Sequence, residues 1–226
     1  MKRSEINAII KRAAAFTEEK GFQLPPFTKW TPEEWKTKGH EHDEIRDNML
    51  GWDVTDYGQS NFDELGLVLV TIRNGNRQNP AYEKAYAEKI FILEENQVSP
   101  MHFHWSKMED IINRGGGNLL VTLYNSTEDG GLADSDVTVN TDGHRYTVPA
   151  GTTVRLTPGE SITLLKTQYH AMAPEKGSGR ILVGEVSLCN DDNIDNRFLE
   201  PLGRFPSIEE DEPAFRLLCT EYPKAE

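Results

Sequence analysis

The chain has 226 residues, of which 37% are apolar and 27% charged, and its formal net charge is −13. This composition is typical of a globular protein, and the length favours one domain with a sizeable core. The negative charge disfavours nucleic acid, anionic membrane surfaces and phosphorylated substrates, because no cluster of Lys and Arg offsets it. We therefore expect a protein without a nucleic-acid or membrane partner.

The sequence carries no sign of export or membrane insertion. No apolar stretch reaches ~18 residues, the length that a transmembrane helix requires. The N-terminal run MKRSEINAII also lacks the apolar core of a signal peptide. Cys189 and Cys219 are then expected to be free thiols rather than a disulfide. These features predict a cytoplasmic protein.

Residues 1–60 are expected to form a helical and irregular segment that packs on the rest of the chain. Apolar residues recur with helical spacing from Ile6 to Phe16, Ser4 can cap this helix, and Gly21 can end it. A second, short helix is predicted at Thr31-Pro32-Glu33-Glu34, which combines a capping Thr, a Pro at the first helical position and a Glu three residues after the cap.

The rest of the chain alternates short β-type runs with turn residues. Asp142-Gly143, between two such runs, is a strong hairpin signal. Many short strands at fairly even spacing predict an antiparallel sandwich or barrel rather than an α/β fold. Residues 206–210 look like the capped start of a short C-terminal helix. The predicted strands are residues 65–73, 89–94, 100–105, 109–112, 119–124, 137–140, 144–148, 153–156, 161–166 and 180–188.

One segment predicts a metal site. Residues two apart on a strand project to the same face, so the imidazoles of His102 and His104 should lie side by side, with Phe103 on the other face. Glu109 begins the next strand and can add a carboxylate. His170 follows a Pro-Gly turn and a strand, and is placed to supply a fourth ligand. Imidazole and carboxylate together suit Mn, Fe, Zn or Ni.

Other histidines are expected to be surface residues. A single His on a strand is usually just polar, but this explanation fits poorly for His-x-His with a Glu five residues on and a later His. The cluster His40-Glu41-His42-Asp43 lies in a charged segment without strand character. On a helix, residues i and i+2 do not share a face, so we expect a solvated segment rather than a second metal site. His144 lies beside the hairpin turn and should be exposed.

The metal segment resembles the first motif of the cupin superfamily, in which His-x-His is followed by Glu and then Gly. The second motif, a Pro/Gly turn and a strand leading to His, is matched more loosely. The resemblance implies a mainly β fold, a cupin-type antiparallel β-barrel (jelly roll) with N-terminal helices and a short C-terminal helix, in which residues 1–226 form a single domain. The matching residues are His102, His104, Glu109 and Gly116 for the first motif, and Pro158, Gly159 and His170 for the second.

A closer resemblance, over roughly residues 1–220, is to the bacterial D-lyxose isomerases. It implies a bound Mn²⁺ and interconversion of D-lyxose and D-xylulose. Related members also act on D-mannose and D-fructose, and members are often homodimers. The resemblance is carried by Leu24-Pro25-Pro26-Phe27, Trp30, Pro32-Glu33-Glu34-Trp35, residues 51–58, 62–73 and 100–109, and Tyr169-His170.

Aldose–ketose isomerisation moves a hydrogen between C1 and C2 of an open-chain sugar, which a divalent ion assists by stabilising an enediol-type intermediate. The reaction also needs a base. Glu185 is the one carboxylate in the apolar run 180–188 and shares a face with Ile181 and Val183. We therefore expect it to be buried with a raised pKa, as suits a general base. The alternative is a structural Glu paired with Arg or Lys.

Further candidates surround the site. Lys107 lies between the metal ligands, where its ammonium can shuttle a proton near the substrate oxygens; the alternative is a solvated turn lysine. The polar segment 189–197 can bind sugar hydroxyls, with Asp195 and Arg197 as the best candidates, or can be a plain surface loop. We expect Phe103 and Trp105 to be packing residues rather than a platform for a sugar ring.

Three other functions compete with the isomerase. The same ligand set serves metal-dependent dioxygenases and oxidases, which are the main enzymatic alternative. A cupin that only binds a sugar is the non-enzymatic alternative. A sugar-phosphate isomerase is disfavoured, because we find neither a basic phosphate cradle nor a Gly-rich helix start.

Overall fold

The computed structural model describes residues 1–191 and 194–225. Within these residues all helices precede the strands. They are α1 (Arg3–Glu19), α2 (Pro32–Trp35) and α3 (Asp43–Asp47), with short 3₁₀ turns at Pro26–Lys29 and His40–His42. None of the described helices has the length and apolar character needed to cross a membrane.

The strands of the described residues form two curled antiparallel sheets, which confirms a mainly β, cupin-type barrel. The larger sheet has the order β1-β2-β3-β13-β5-β11-β8-β9 and the smaller the order β10-β6-β12-β4-β14, with β7 paired to β6. The strands are β1 (Gly51–Thr55), β2 (Leu67–Arg73), β3 (Tyr86–Leu93), β4 (Ser99–His104), β5 (Glu109–Gly116), β6 (Leu119–Ser126), β7 (Leu132–Ala133), β8 (Val137–Thr141), β9 (His144–Val148), β10 (Thr153–Leu156), β11 (Ser161–Leu164), β12 (Gln168–Pro174), β13 (Ile181–Leu188) and β14 (Asn196–Phe198).

The part of the larger sheet formed by β1, β2, β3 and β13 is buried on both faces, which explains the nearly continuous apolar sequence of these strands. On β13, Ile181 and Val183 point into the core between the two sheets, whereas Leu182 points to the outer face. On β3, Phe91 faces the inner core and Ile90 faces outward in the same way. Because side chains alternate along a strand, this parity fixes which residues of β3 and β13 enter the barrel.

Helix α1 covers that outer face. Its apolar stripe, including Ile6 and Ile10, is fully buried against the sheet. The prediction that Ser4 caps this helix is wrong, because the helix already begins at Arg3 and its N-cap is Lys2. Ser4 instead donates hydrogen bonds from its backbone N–H and its hydroxyl to the carboxylate of Asp211.

The short C-terminal helix predicted at residues 206–210 is also wrong. The backbone of this segment pairs with the N-terminus: Arg3 N donates to Glu209 O at 2.8 Å, and Glu209 N donates to Met1 O at 2.9 Å. The buried Arg3 guanidinium reinforces the pairing through ion pairs with Glu210 and Glu221. These long-range bonds use backbone groups that a helix would have needed.

Candidate active site and metal centre

Three histidines meet on the smaller sheet. His102 and His104 lie on one face of β4, and β12 places His170 directly opposite His102 in the strand register. One ligand nitrogen from each ring can be chosen so that all three lie within 4.8 Å of one another. All three side chains are buried. Phe103 points to the opposite face and packs edge-on against Tyr169, with ring centroids 4.7 Å apart.

Glu109 reaches the histidines from the larger sheet. It is the first residue of β5, and its Oε1 lies 3.4 Å from His104 Nε2 and 3.2 Å from His170 Nε2. At the far end of β5, Gly116 has φ +97, and a Cβ there would lie 2.3 Å from Arg180 O. Glycine is therefore required where β5 bends. The four residues predicted as metal ligands thus come together from both sheets.

In two of the histidines, a hydrogen bond at Nδ1 leaves Nε2 as the nitrogen that can bind a metal ion. Nδ1 of His102 lies 2.7 Å from Pro100 O, and Nδ1 of His170 lies 3.1 Å from Gln168 O. A carbonyl oxygen can only accept a hydrogen bond, so Nδ1 carries the proton and donates, which leaves Nε2 with its lone pair towards the cluster. Within the described residues, Nε2 of His170 is buried and makes no hydrogen bond.

The charge states also suit a cation. Burial lowers the pKa of His102 well below its ordinary value, and burial together with the Lys107 ammonium lowers the pKa of His104. Burial would raise the pKa of Glu109, but Lys107 and the neighbouring imidazoles outweigh it and hold that pKa well below its usual range. Neutral imidazoles beside an ionised carboxylate fit a divalent metal ion.

Lys107 and Glu185 stand beside this cluster. The Nζ of Lys107 lies 2.7 Å from Glu109 Oε2 and 2.8 Å from Glu185 Oε1. The Ser187 hydroxyl donates to the same Glu185 oxygen at 3.0 Å. Lys107 is 2% exposed, so the alternative of a solvated turn lysine is wrong. Glu185 is buried as expected, and it is paired with a lysine.

The expectation of a raised pKa for Glu185 is wrong. Burial does raise the pKa of this carboxyl, but the ammonium groups of Lys107 and Lys89 outweigh burial and place it below its ordinary value. For the same reason the two carboxylates raise the pKa of Lys107, although burial alone would lower it. The pair is therefore a carboxylate and an ammonium at neutral pH.

Comparison with known proteins places this site in a family. The family model of D-lyxose isomerase matches residues 1–222. The chain belongs to the D-lyxose isomerase family. It is 51% identical to a D-lyxose/D-mannose isomerase of Escherichia coli O157:H7 over 225 residues, 98% of each chain. It is also 51% identical to a D-lyxose/D-mannose isomerase of Serratia proteamaculans over 223 residues, again 98% of each chain. Membership makes the chain a sugar isomerase and sets aside the non-enzymatic sugar-binding cupin.

Solved structures share the fold. The L-ribose isomerase of Cellulomonas parahominis superposes with a TM-score of 0.59 at 15% identity, over 92% of this chain and 98% of that one. The L-ribose isomerase of Acinetobacter sp. DL28, solved in complex with L-ribose, has a TM-score of 0.59 at 16% identity and the same coverage. At this level of identity the likeness concerns the barrel.

One pocket is lined by His102, His104, Lys107, Glu109 and Glu185, and we call it the isomerase pocket. It also contains residues that the sequence pattern did not single out. Its volume is about 60 Å³, and its walls include Lys89 and Arg204. Lys89 is buried and pairs with Glu185 in the register of β3 and β13. Its parity with the inward Phe91 is a signal in the sequence that points to this position. Nothing local marks Arg204, which reaches the pocket from the C-terminal segment and donates to Asp53 Oδ2 at 2.6 Å.

The two predicted sugar-binding residues are not in this pocket. Asp195 is buried on the far side of the turn, where its Oδ1 accepts hydrogen bonds from the backbone N–H and the hydroxyl of Ser106. Arg197 lies on β14 between Asn196 and Phe198, both of which line the pocket, and it does not. The rest of the polar segment includes Asp192 and Asn193, which lie outside the described residues.

The predictions for the other histidines, the cysteines and the aromatic residues Phe103 and Trp105 can also be compared with the structure. Within residues 1–191 and 194–225, the only group of His, Cys, Asp or Glu arranged for a metal is the histidine cluster, and His40 is exposed, as expected of a surface segment. His144 is exposed, and both cysteines are free thiols. Phe103 is a packing residue as expected. Trp105 packs edge-on against Phe103, with ring centroids 4.6 Å apart, although 53% of its surface is exposed.

Proposed function

We propose that this chain interconverts D-lyxose and D-xylulose, and D-mannose and D-fructose, with Mn²⁺ as its metal. The observation that carries the proposal is the buried Lys107–Glu185 pair, which lines the same pocket as His102 and His104. The names of the two relatives at 51% identity support the choice of sugars. Manganese comes from the resemblance to the family and is compatible with the ligand types.

We assign the metal to the three histidines and Glu109. When bound there, a divalent ion supplies positive charge that polarises the carbonyl of an open-chain sugar. The protein contributes neutral imidazoles and one carboxylate, so a dication keeps part of its charge for the substrate. The reacting side chains themselves are buried, which strengthens the electrostatic interactions between them.

We assign proton transfer to Glu185 and Lys107. In the aldose-to-ketose direction, Glu185 accepts the proton from C2 and then delivers a proton to C1, and the proton that it holds in between exchanges with solvent. Lys107 donates a proton to O1 and takes one back from the hydroxyl at O2, so that both residues return to their starting states. Ser187 fixes the carboxylate by its hydrogen bond, and the ion pair keeps the carboxylate ionised.

Isotope exchange tests this route. In D₂O with Mn²⁺ present, D-lyxose should be converted to D-xylulose that carries deuterium at C1. The deuterium enters because the transferred proton exchanges with solvent at the enediol stage. Product formation without deuterium would contradict proton transfer and indicate a hydride shift. Oxygen consumption with these sugars would instead favour the dioxygenase or oxidase alternative.

Three further features are proposals: the first rests on the chain length, the second on the lack of a signal or membrane segment in the sequence, and the third on the resemblance to the family. We propose that residues 1–226 act as a single domain, that the protein is cytoplasmic, and that it is a homodimer. Light scattering on the purified protein would give the oligomeric state directly. A mass of about twice the 25.6 kDa of the chain is expected.

A further inference from the structure

An apolar row lies on the outer face of the larger sheet, at the end where β5 begins. It consists of four large side chains on four neighbouring strands: Tyr86, Leu188, Met108 and Leu165. Tyr86 pairs with Leu188 in the register of β3 and β13, and Leu188 N donates to Met108 O at 3.1 Å. Leu165 directly follows the last residue of β11, which pairs with the first residue of β5. The four side chains are therefore neighbours on one surface.

The apolar row is exposed to solvent. Tyr86 is 53% exposed, Met108 43% and Leu165 41%. Among the described residues seven large apolar side chains are exposed, and a fourth of these, Val186, stands on the same face of β13 as Leu188. Single exposed apolar residues are normal on a protein surface, whereas a contiguous set marks a contact site. Tyrosine and methionine are also enriched in the centres of protein interfaces.

Helix α1 leaves this part of the sheet uncovered. The apolar cluster that it forms on the outer face includes residues of β1, β2, β3 and β13 but, within the described part of the chain, none of β5, β11, β8 or β9. Glu109 and Glu185 point inward and are buried, whereas their chain neighbours Met108 and Val186 point outward and are exposed. The strands that hold the active site thus present apolar side chains to solvent on their other face.

A row of mixed polarity runs beside the apolar row and crosses six neighbouring strands. In sheet order from β3 to β9, its outward residues are Glu88, Val186, Asp110, Thr163, Asn140 and Arg145. Glu88 forms an ion pair with Arg73 at 2.7 Å and remains 24% exposed, and Arg145 is exposed. Opposite charges therefore stand at the two ends of the row, at equal numbers of strands from its midpoint between β5 and β11.

A second copy of the chain fits this pattern. A two-fold axis that runs along the strands, midway between β5 and β11, places Met108 of each copy opposite Leu165 of the other. The same axis places Glu88 of each copy opposite Arg145 of the other. An axis along β13 would instead bring Glu88 opposite Asp110, and two facing carboxylates cost free energy. Charge complementarity thus selects the first arrangement.

The size and charge of this surface suit such a contact. Six neighbouring strands at a spacing of about 4.8 Å span roughly 24 Å. This width is compatible with the area of about 800 Å² per copy that a stable dimer buries. Each chain carries a net charge of −13, so two copies repel each other unless their contact surface is close to neutral. The apolar row contains no charged residue.

We propose that the outer face of β3, β13, β5, β11, β8 and β9 is the interface of a two-fold symmetric dimer of this chain. Met108 and Leu165 lie at its centre, and Glu88 and Arg145 pair across it at both edges. This assignment rests on the homodimer proposed above and is independent of the isomerase reaction.

Sedimentation velocity of the Mn²⁺-loaded protein over a range of concentrations tests the interface. The unaltered chain should give twice 25.6 kDa. Leu165→Asp places a charge at the centre of the contact twice and should raise the Kd of the dimer about 100-fold or more. Val98→Asp is the matched control, because Val98 is 40% exposed but lies just before β4 on the other sheet, and it should leave the Kd unchanged.

An unchanged Kd in Leu165→Asp, or an equal loss in Val98→Asp, would overturn this interface while leaving the homodimer in place. A mass of one chain for the unaltered protein would overturn both the interface and the homodimer. Turnover of D-lyxose, measured separately on the same samples, decides the isomerase proposal independently of either result.

Charge reversal tests the alignment of the two copies. Arg145→Glu should raise the Kd about tenfold, because like charges then face each other at both edges. Glu88→Arg should also raise the Kd, in part because it loses the ion pair with Arg73. The combined variant Glu88→Arg/Arg145→Glu exchanges the signs and should dimerise more tightly than either single variant. A combined variant that dimerises no better than the single variants would overturn the alignment.

Discussion

The ammonium of Lys107 lies 2.8 Å from Oε1 of Glu185, and both side chains are almost completely buried. The same ammonium contacts Glu109 at 2.7 Å, so one cation holds two carboxylates in the pocket. Without it, two buried negative charges would repel each other. The contact therefore keeps Glu185 ionised and ties the position of the proposed base to that of a metal ligand.

The first prediction concerns the proposed base. Glu185→Gln should lower kcat by about 10²–10⁴-fold, the usual contribution of a general base, while the bound metal is retained. Glutamine keeps the size of the side chain but cannot accept the proton from carbon. Turnover of D-lyxose and the metal content of the same sample check this. Near-normal turnover with metal bound would show that Glu185 is structural.

The second prediction concerns the metal ligands. His102→Ala should remove metal and activity together, with a loss of affinity of more than about 100-fold, because one of four ligands is lost. The matched control is His144→Ala, since His144 is exposed and far along the chain on β9. Metal content by elemental analysis and turnover should fall in parallel only for His102→Ala. Full activity of the metal-free protein would contradict the metal mechanism.

The third prediction is a pH dependence of the metal-free protein. The pKa values of His102 and His104 are lowered in the fold, so the unfolded chain binds more protons as the pH falls below about 6.5, the ordinary histidine value. Stability is therefore full above that pH and is lost as the pH decreases towards the folded pKa values. At pH 5.5 each of the two histidines should cost about 1 kcal/mol of stability.

Urea unfolding at pH 7.5 and at pH 5.5 measures this change. Most carboxyl groups remain ionised over this interval, so the comparison isolates the histidines. His102→Gln should reduce the difference by about half, since one of two groups is removed. His144→Gln should not alter it, because His144 is exposed. An equal free energy of unfolding at the two pH values would contradict the prediction.

The fourth prediction concerns the contact between the N-terminal helix and the C-terminal segment. Arg3→Met should lower the free energy of unfolding by about 1–3 kcal/mol, because the buried guanidinium pairs with Glu210 and Glu221. The estimate is modest because Glu210 is 60% exposed and can be solvated by water when the arginine is removed. Arg12→Met, on an exposed part of the same helix, is the control and should change stability little. Equal effects of the two variants would rule out a specific role for Arg3.

Most of the correct predictions were based on which face of a strand each side chain occupies. Side chains alternate between the two faces of a strand, and this is a local property. His102 and His104 on β4, and Glu185 with Ile181 and Val183 on β13, could therefore each be assigned to a common face without a structure. Parity also places Trp105 beside Phe103, against which its ring packs edge-on, although it lies just beyond the end of β4.

Features that depend on distant partners could not be predicted in this way. Residues 206–210 have the composition of a helix start, but they pair with the N-terminus more than 200 residues earlier in the chain. Arg204 reaches the isomerase pocket only because the C-terminal segment runs past β1, where Thr55 donates to Arg204 O. The pKa of Glu185 likewise depends on Lys107 and Lys89, which come from other elements.

The sequence by itself determined the mainly β architecture, the strands that carry His102 and His104, and the burial of Glu185, because hydrophobic alternation and residue spacing are local. Only the tertiary structure decided that Glu185 is ionised beside Lys107 and that Asp195 lies outside the isomerase pocket. Both depend on which strands become neighbours across the barrel. That choice is made by packing and long-range hydrogen bonds rather than by any single stretch of residues.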